Sequence, residues 1–173
     1  MQSRLPKLLF VVLAAYAVFH FSAYYSQLPE VVSSHFDAHG VANGWQTKTA
    51  FFIVFVAVSV LAVMIGFGVP RIIGVMPTQL INLPNKRYWL AQEHIAETLE
   101  FLNTHFAWFG CAIFLILILT FDYAAQSNLH PDNPPDASRM WYILVGFLAF
   151  VIVWTTRMLA KFLRTPEGNF GGK

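Results

Sequence analysis

Charge is scarce in this chain. Only 12% of its 173 residues are Asp, Glu, Lys or Arg, about half the share usual for a soluble domain. With 57% hydrophobic residues, it has too little polar surface to cover itself in water. Cysteine is nearly missing, and the single Cys111 lies inside an apolar run. That excludes disulfide scaffolds and four-cysteine zinc sites. No basic run of the phosphate-binding kind occurs, and a formal charge of +2 is too small to argue for nucleic acid. Nucleophile elbows, phosphate-binding glycine loops and intramembrane zinc-protease patterns are absent as well. The chain is therefore expected to be no enzyme, and its natural solvent is a lipid bilayer.

What is abundant is apolar length. A helix needs about 20 apolar residues to cross a hydrocarbon core of roughly 30 Å. Four runs qualify, at about 8–25, 50–69, 101–121 and 140–160, the last ending where Arg157 and Lys161 snorkel to the interface. Arg4 and Lys7 before the first run resemble a signal-peptide start. Its apolar part is too long and its end, "FHFSAYYSQ", too bulky for cleavage, so a retained anchor is expected.

Lys and Arg orient the spans. Arg4, Lys7, Arg71, Lys86, Arg87, Arg157, Lys161, Arg164 and Lys173 fall on one side, and only Lys48 and Arg139 on the other. This asymmetry places both termini in the cytoplasm of a bacterial inner membrane. The expected fold is an all-α integral membrane protein, a single membrane domain over 1–173 with four antiparallel spans. Outer loops are expected at 26–49 and 122–139, and an inner loop at 70–100.

In the inner loop, Pro70, Pro77 and Pro84 should break any continuing helix. Beyond Pro84, Ile95, Leu99 and Leu102 recur at helical spacing with Glu93, Glu97 and Glu100 off that line. The spacing predicts an amphipathic extension from about Tyr88 running unbroken into the third span. No glutamate there has a histidine three residues on, so a ferritin-like di-metal site is not expected. Asn85, Tyr88, Trp89, Glu93 and Glu97 form a candidate inner surface for a partner.

The outer stretch "HFDAHGVANGWQTK" carries the most varied chemistry. His35, Asp37 and His39 have the order His-x-Asp-x-His, a candidate metal set with His130 as a fourth ligand. In a strand His35 and His39 would stand about 13 Å apart, and in a helix Asp37 would point away from both. Only a sharp turn at Gly40 would converge them within zinc distance, so the polar-connector reading is preferred. In that reading Val32, Ser34 and Phe36 alternate as a short strand, and Asn43-Gly44 signals a turn. Thr47 or Thr49 caps the second span, and Phe36 and Trp45 act as apolar pegs.

Here "LPEVVSSHFDAHGVANGWQTK" resembles the signature of the family called domain of unknown function 1648, at Leu28, Pro29, His35, Phe36, Gly40, Gly44, Trp45 and Lys48. "LPNKRYWLAQE" is similar to a second family segment, at Asn85, Tyr88, Trp89, Leu90 and Ala91. The resemblance implies a bacterial membrane protein with a folded outer loop. The chain is also distantly similar to the immunity and signalling membrane proteins of the sporulation-delaying toxin system, which protect against a membrane-active peptide. The implied ligand or partner surface is His35, Phe36, Gly40, Gly44, Trp45 and Lys48.

The span centres carry no Asp, Glu, Lys or Arg, which disfavours transport. His20 and His105 lie at different depths, so one haem cannot bridge them. No cofactor is expected, single ligation of haem or chlorophyll by either histidine being the minor alternative to an interhelical hydrogen bond. Two functions stay open. One is envelope sensing or protection through the outer loop. The other is an accessory subunit of a larger, cofactor- or pigment-containing membrane complex, packing its 17 Phe and 5 Trp against other subunits.

Overall fold

Runs without charge coil into long helices because lipid offers the backbone N–H and C=O groups no other partner. The computed structural model describes residues 4–165, so Lys173 lies outside the described residues. The order is α1 (Arg4–Tyr25), a hairpin of β1 (Val31–Phe36) and β2 (Ala42–Thr47), α2 (Lys48–Val63), a π-helical turn (Met64–Gly68) and α3 (Val69–Val75). A 3-10 turn (Thr78–Leu80), α4 (Lys86–Trp89), α5 (Ile95–Leu129) and α6 (Ser138–Leu163) follow. Four helical stretches are long and apolar enough to cross a membrane: Arg4–Tyr25, Lys48–Val75, Ile95–Leu129 and Ser138–Leu163. Each contains one of the four expected spans and runs beyond it. The small antiparallel sheet adds to the all-α expectation.

The spine is α5. Its 35 residues extend about 50 Å at 1.5 Å per residue, and α1, α2, the π turn, α3, α6 and β1 all pack against it. The core beside it is aromatic. Phe121 lies 4.5 Å from Phe51 and 4.9 Å from Phe55 between ring centres, Phe55 lies 4.7 Å from Phe21, and Phe10 stacks on Phe114 at 5.0 Å. Each such pair contributes about 0.5–1.5 kcal/mol beyond the area it buries. A second cluster of Trp89, Leu102 and Phe162 ties α4 and α5 to the end of α6. Phe162 is the one buried residue of α6, whose other side chains are at least partly open.

Pro70 does not end the second long helix, contrary to expectation. It sits in the first turn of α3, just past the π turn. A π turn shifts the hydrogen-bond pattern locally, and so the helix accommodates a residue that has no N–H and crowds the preceding turn. Chain direction changes only at Met76, where the backbone turns extended (ψ 140°) before Pro77. The same π turn carries Gly66 across α5 at Gly110. An ideal Cβ on Gly110 would stand 2.8 Å from the Gly66 Cα, and one on Gly66 3.1 Å from the Gly110 Cα. Backbones meet here as small residues allow in membranes.

The inner extension is broken where continuity was expected. α4 is a single turn entered through Asn85 in the left-handed region (φ 52°), and α5 begins only at Ile95. The break lets Trp89 tuck beneath α6. Its Nε1 donates to the Phe162 carbonyl at 3.2 Å, and Thr98 Oγ1 donates to the Trp89 carbonyl at 2.8 Å. At the other end α5 continues through 122–129, which the hydropathy reading assigned to the outer loop.

Gly110→Leu is expected to force the α5 crossing with the π turn apart and lower stability by about 1–3 kcal/mol. Thermal unfolding in detergent measures this. Ala at the well-exposed Val18 position is the control that should leave the midpoint in place.

Candidate functional site

The hairpin is built by its own side chains. Antiparallel pairing joins Val31 to Thr47, Val32 to Gln46, Ser33 to Trp45, His35 to Gly44 and Phe36 to Ala42, with irregularities on either side of His35. Val32 is fully buried, Ser34 and Phe36 are half-buried, and Val31 and His35 face out. That is the alternation expected of a strand with one covered face.

The turn lies elsewhere than expected. It spans Asp37–Val41, where Gly40 takes φ +80°. The Asp37 carboxylate accepts the His39 N–H at 2.8 Å and the Val41 N–H at 2.9 Å. These two bonds, Val41 first, hold the Asp37 carboxyl below the usual carboxylate range. Asn43-Gly44 belongs to β2 instead. Gly44 makes room for His35, since a Cβ there would sit 3.0 Å from the His35 Cβ.

His-x-Asp-x-His is therefore the chemistry of a turn, with its aspartate occupied by backbone. Among the described residues no group of three or more His, Cys, Asp or Glu is placed to hold a metal ion.

Contacts at its edge, tip and base dock this hairpin on the helices. Asn128 of α5 lies along the outer edge of β1, where its Oδ1 accepts the Ser33 N–H at 2.7 Å and its Nδ2 donates to the Ser33 carbonyl at 2.8 Å. The amide thus stands in for a neighbouring strand and closes an edge that would otherwise invite pairing. At the tip, Trp141 Nε1 donates to the Ala38 carbonyl at 3.3 Å. An ideal Cβ on Gly40 would meet the Ala137 Cβ at 2.8 Å and the Tyr123 hydroxyl at 2.9 Å, so any larger residue would lift the tip.

At the base, Lys48 pairs with Glu30 at 2.8 Å and its Nζ sits 5.3 Å from the Tyr25 ring centre. Thr47 caps α2, its Oγ1 accepting the Ala50 N–H at 3.2 Å. Of the two expected pegs only Phe36 serves, packing edge-on against Tyr123 at 5.5 Å. Trp45 is 62% exposed, because its face of the sheet points away from the helices.

Beneath the tip the hairpin, α5 and α6 enclose an apolar crevice of about 420 Å³, walled by Phe36, Ile116, Tyr123, Trp141, Ile143 and Leu144. Ligand pockets commonly fall in this size range. Ser34 also lines it, and its hydroxyl is buried with no hydrogen-bond partner.

Beside the hairpin, at the same end of α5, is a polar cluster that span counting missed. His20 and Tyr24 are one turn apart on α1, and Asp122 and Gln126 one turn apart on α5. Asp122 Oδ1 lies 2.8 Å from His20 Nε2 and accepts the Tyr24 hydroxyl at 3.0 Å, while Gln126 Nε2 donates to the Tyr24 oxygen at 2.6 Å. The matching i, i+4 spacing on both helices was the available signal. His105 likewise bonds across helices. Its Nε2 is 2.9 Å from the Trp154 carbonyl, and Trp154 Nε1 returns a bond to the His105 carbonyl at 2.9 Å. Axial ligation through either Nε2 would first break these bonds.

The inner candidates are not gathered into one open surface. Asn85 donates to the Phe162 and Leu163 carbonyls, Tyr88 stacks on His94 at 4.1 Å, and Trp89 is buried. Glu97 pairs with Lys161, and Glu93 is exposed.

Residues 9–58, from α1 through the hairpin into α2, match the family model described as "Domain of unknown function (DUF1648)". This segment is similar to that family. The DUF1648 match takes in every outer-loop residue of the resemblance, Leu28 to Lys48, whereas Asn85 to Ala91 lie outside it. No curated protein and no solved structure matches the chain.

Asn128→Leu is expected to leave the Ser33 N–H and carbonyl without partners and to cost about 1–3 kcal/mol. Limited trypsin digestion in detergent should then cut after Lys48 faster than in the wild type. Equal rates would show that the hairpin holds its place without α5.

Proposed function

We propose that this is a non-catalytic, multi-pass protein of a bacterial inner membrane whose hairpin, on the outer face, works as a recognition element. The crevice beneath the hairpin tip receives an apolar segment that arrives through the bilayer. Orientation rests on charge. The cations Arg71, Lys86, Arg157 and Lys161 lie toward the end opposite the hairpin, where Asn85 and Trp89 meet the end of α6, and short loops rich in Lys and Arg stay in the cytoplasm. With alternating span directions the hairpin then faces outward.

The observation that carries the reading is the crevice itself. It is apolar, it has the volume of a ligand site, and one of its walls is the hairpin of the DUF1648 segment. Phe36 and Gly40 of the family resemblance lie at it, and His35 borders it. Both α5 and α6 line the crevice, and α6 buries only Phe162 among its residues, which suits an apolar guest arriving from the membrane. Sensing of, or protection from, a membrane-active peptide is the role this arrangement suits.

The accessory-subunit reading draws on the same open α6, along which Trp141, Tyr142, Val145 and Ile152 are exposed. In that case a partner helix fills the crevice and free guests find no room.

Trp141 reports on the choice, because it walls the crevice. A short aliphatic peptide bearing a nitroxide quencher should reduce the fluorescence difference between wild type and Trp141→Phe. The reduction should be saturable, with a Kd of about 1–100 µM, as suits a small apolar ligand. Thr120→Phe, which fills the crevice, should abolish it. Quenching that rises linearly without saturation contradicts the proposal.

A further inference from the structure

A second cavity, of about 950 Å³, opens at the other end of the α5–α6 seam. Its walls change character along their length. At one end stand Glu97 and Glu100 of α5 and Arg157 and Lys161 of α6; beyond them come Thr104, Trp108 and Leu5. Helical spacing makes this gradient. Glu97, Glu100, Thr104 and Trp108 follow one face of α5, and Arg157 and Lys161 are one turn apart on α6. The polar end lies where the apolar run of α5 begins, the position at which headgroups meet a spanning helix.

The charges at that end are balanced. Lys161 is committed, since it pairs with Glu97 and its Nζ sits 4.5 Å from the Trp89 ring centre and 5.6 Å from that of Phe101. Among the described residues Arg157 and Glu100 have no ion pair, and both are exposed. One free cation and one free carboxylate thus share the mouth of an amphipathic cavity.

We propose that this cavity seats one zwitterionic phospholipid whose headgroup carries a phosphate and a primary ammonium. The Arg157 guanidinium takes the phosphate, as its forked donors suit. Glu100 accepts from the ammonium, and the acyl chains run along Trp108 and Leu5. Charge complementarity selects this occupant. Anionic headgroups are bound by clusters of Lys and Arg, whereas here two carboxylates stand beside two cations. A free phosphate would leave Glu100 and the apolar wall unused.

Native mass spectrometry of the full chain, released from detergent after titration with phosphatidylethanolamine, phosphatidylglycerol or inorganic phosphate, tests this. One phosphatidylethanolamine should be retained in preference to phosphatidylglycerol, by about threefold for an exposed charge contact. Arg157→Gln should weaken retention of both lipids. Glu100→Gln should move the preference toward phosphatidylglycerol, a change of selectivity that loss of structure alone does not produce. Trp108→Ala should reduce retention without altering that preference. Equal retention of the two lipids, an unchanged preference in Glu100→Gln, or displacement of the lipid by inorganic phosphate would each overturn the proposal.

Discussion

Every backbone N–H and C=O that enters lipid must find its partner inside the protein, and this requirement shapes the whole molecule. Helices meet it internally. The hairpin at the helix ends meets a related need only in part, because each strand has one edge without a neighbour. Asn128 answers for β1 by giving Ser33 both a donor and an acceptor. To bring it there α5 has to stay helical beyond its apolar run, through Asp122 and Gln126. Those side chains in turn are satisfied by His20 and Tyr24 of α1. The polar cluster and the hairpin dock are two results of one long helix.

That helix also explains where the cavities lie. α1 and the α2–α3 rod pack closely on α5, through stacked Phe rings and the Gly66–Gly110 crossing. α6 meets α5 most closely in its middle, where Trp154 bonds and stacks on His105 and Phe150 stacks on Phe109, with further ties from Trp141 at the hairpin tip and from Lys161 and Phe162 at the other side. Seams open along α5 where that contact lapses. The one beside the hairpin is apolar and roofed by it; the other mixes charge with aromatic rings.

Much of this was legible in the residues, and the misses share a cause. Uncharged runs marked the four long helices, because the absence of charge is itself the physical requirement. Thr47 as cap and the Val32–Phe36 alternation were readable because both are local. Asn43-Gly44 misled because glycine serves two purposes. It permits unusual turns, but here it clears space for His35, and Asp37 with Gly40 makes the turn. Pro70 misled because a π turn, invisible in composition, absorbs it. Asp122 was passed over because hydropathy stops counting at the first charge, whereas its i, i+4 match with Gln126 and the same spacing in His20 and Tyr24 were in plain view. Trp45 looked like an anchor until the strand register turned its face outward.

The docked hairpin is the central claim, and the Ser33 amide tests it most directly. Its N–H is held by the Asn128 side chain at 2.7 Å. Hydrogen exchange of the full chain in lipid nanodiscs, read at single-residue resolution, should find this amide protected to a degree comparable with Val32 and Gln46 inside the hairpin. Exchange as fast as that of the connector at 131–136 would contradict the account, leaving the hairpin a tethered loop.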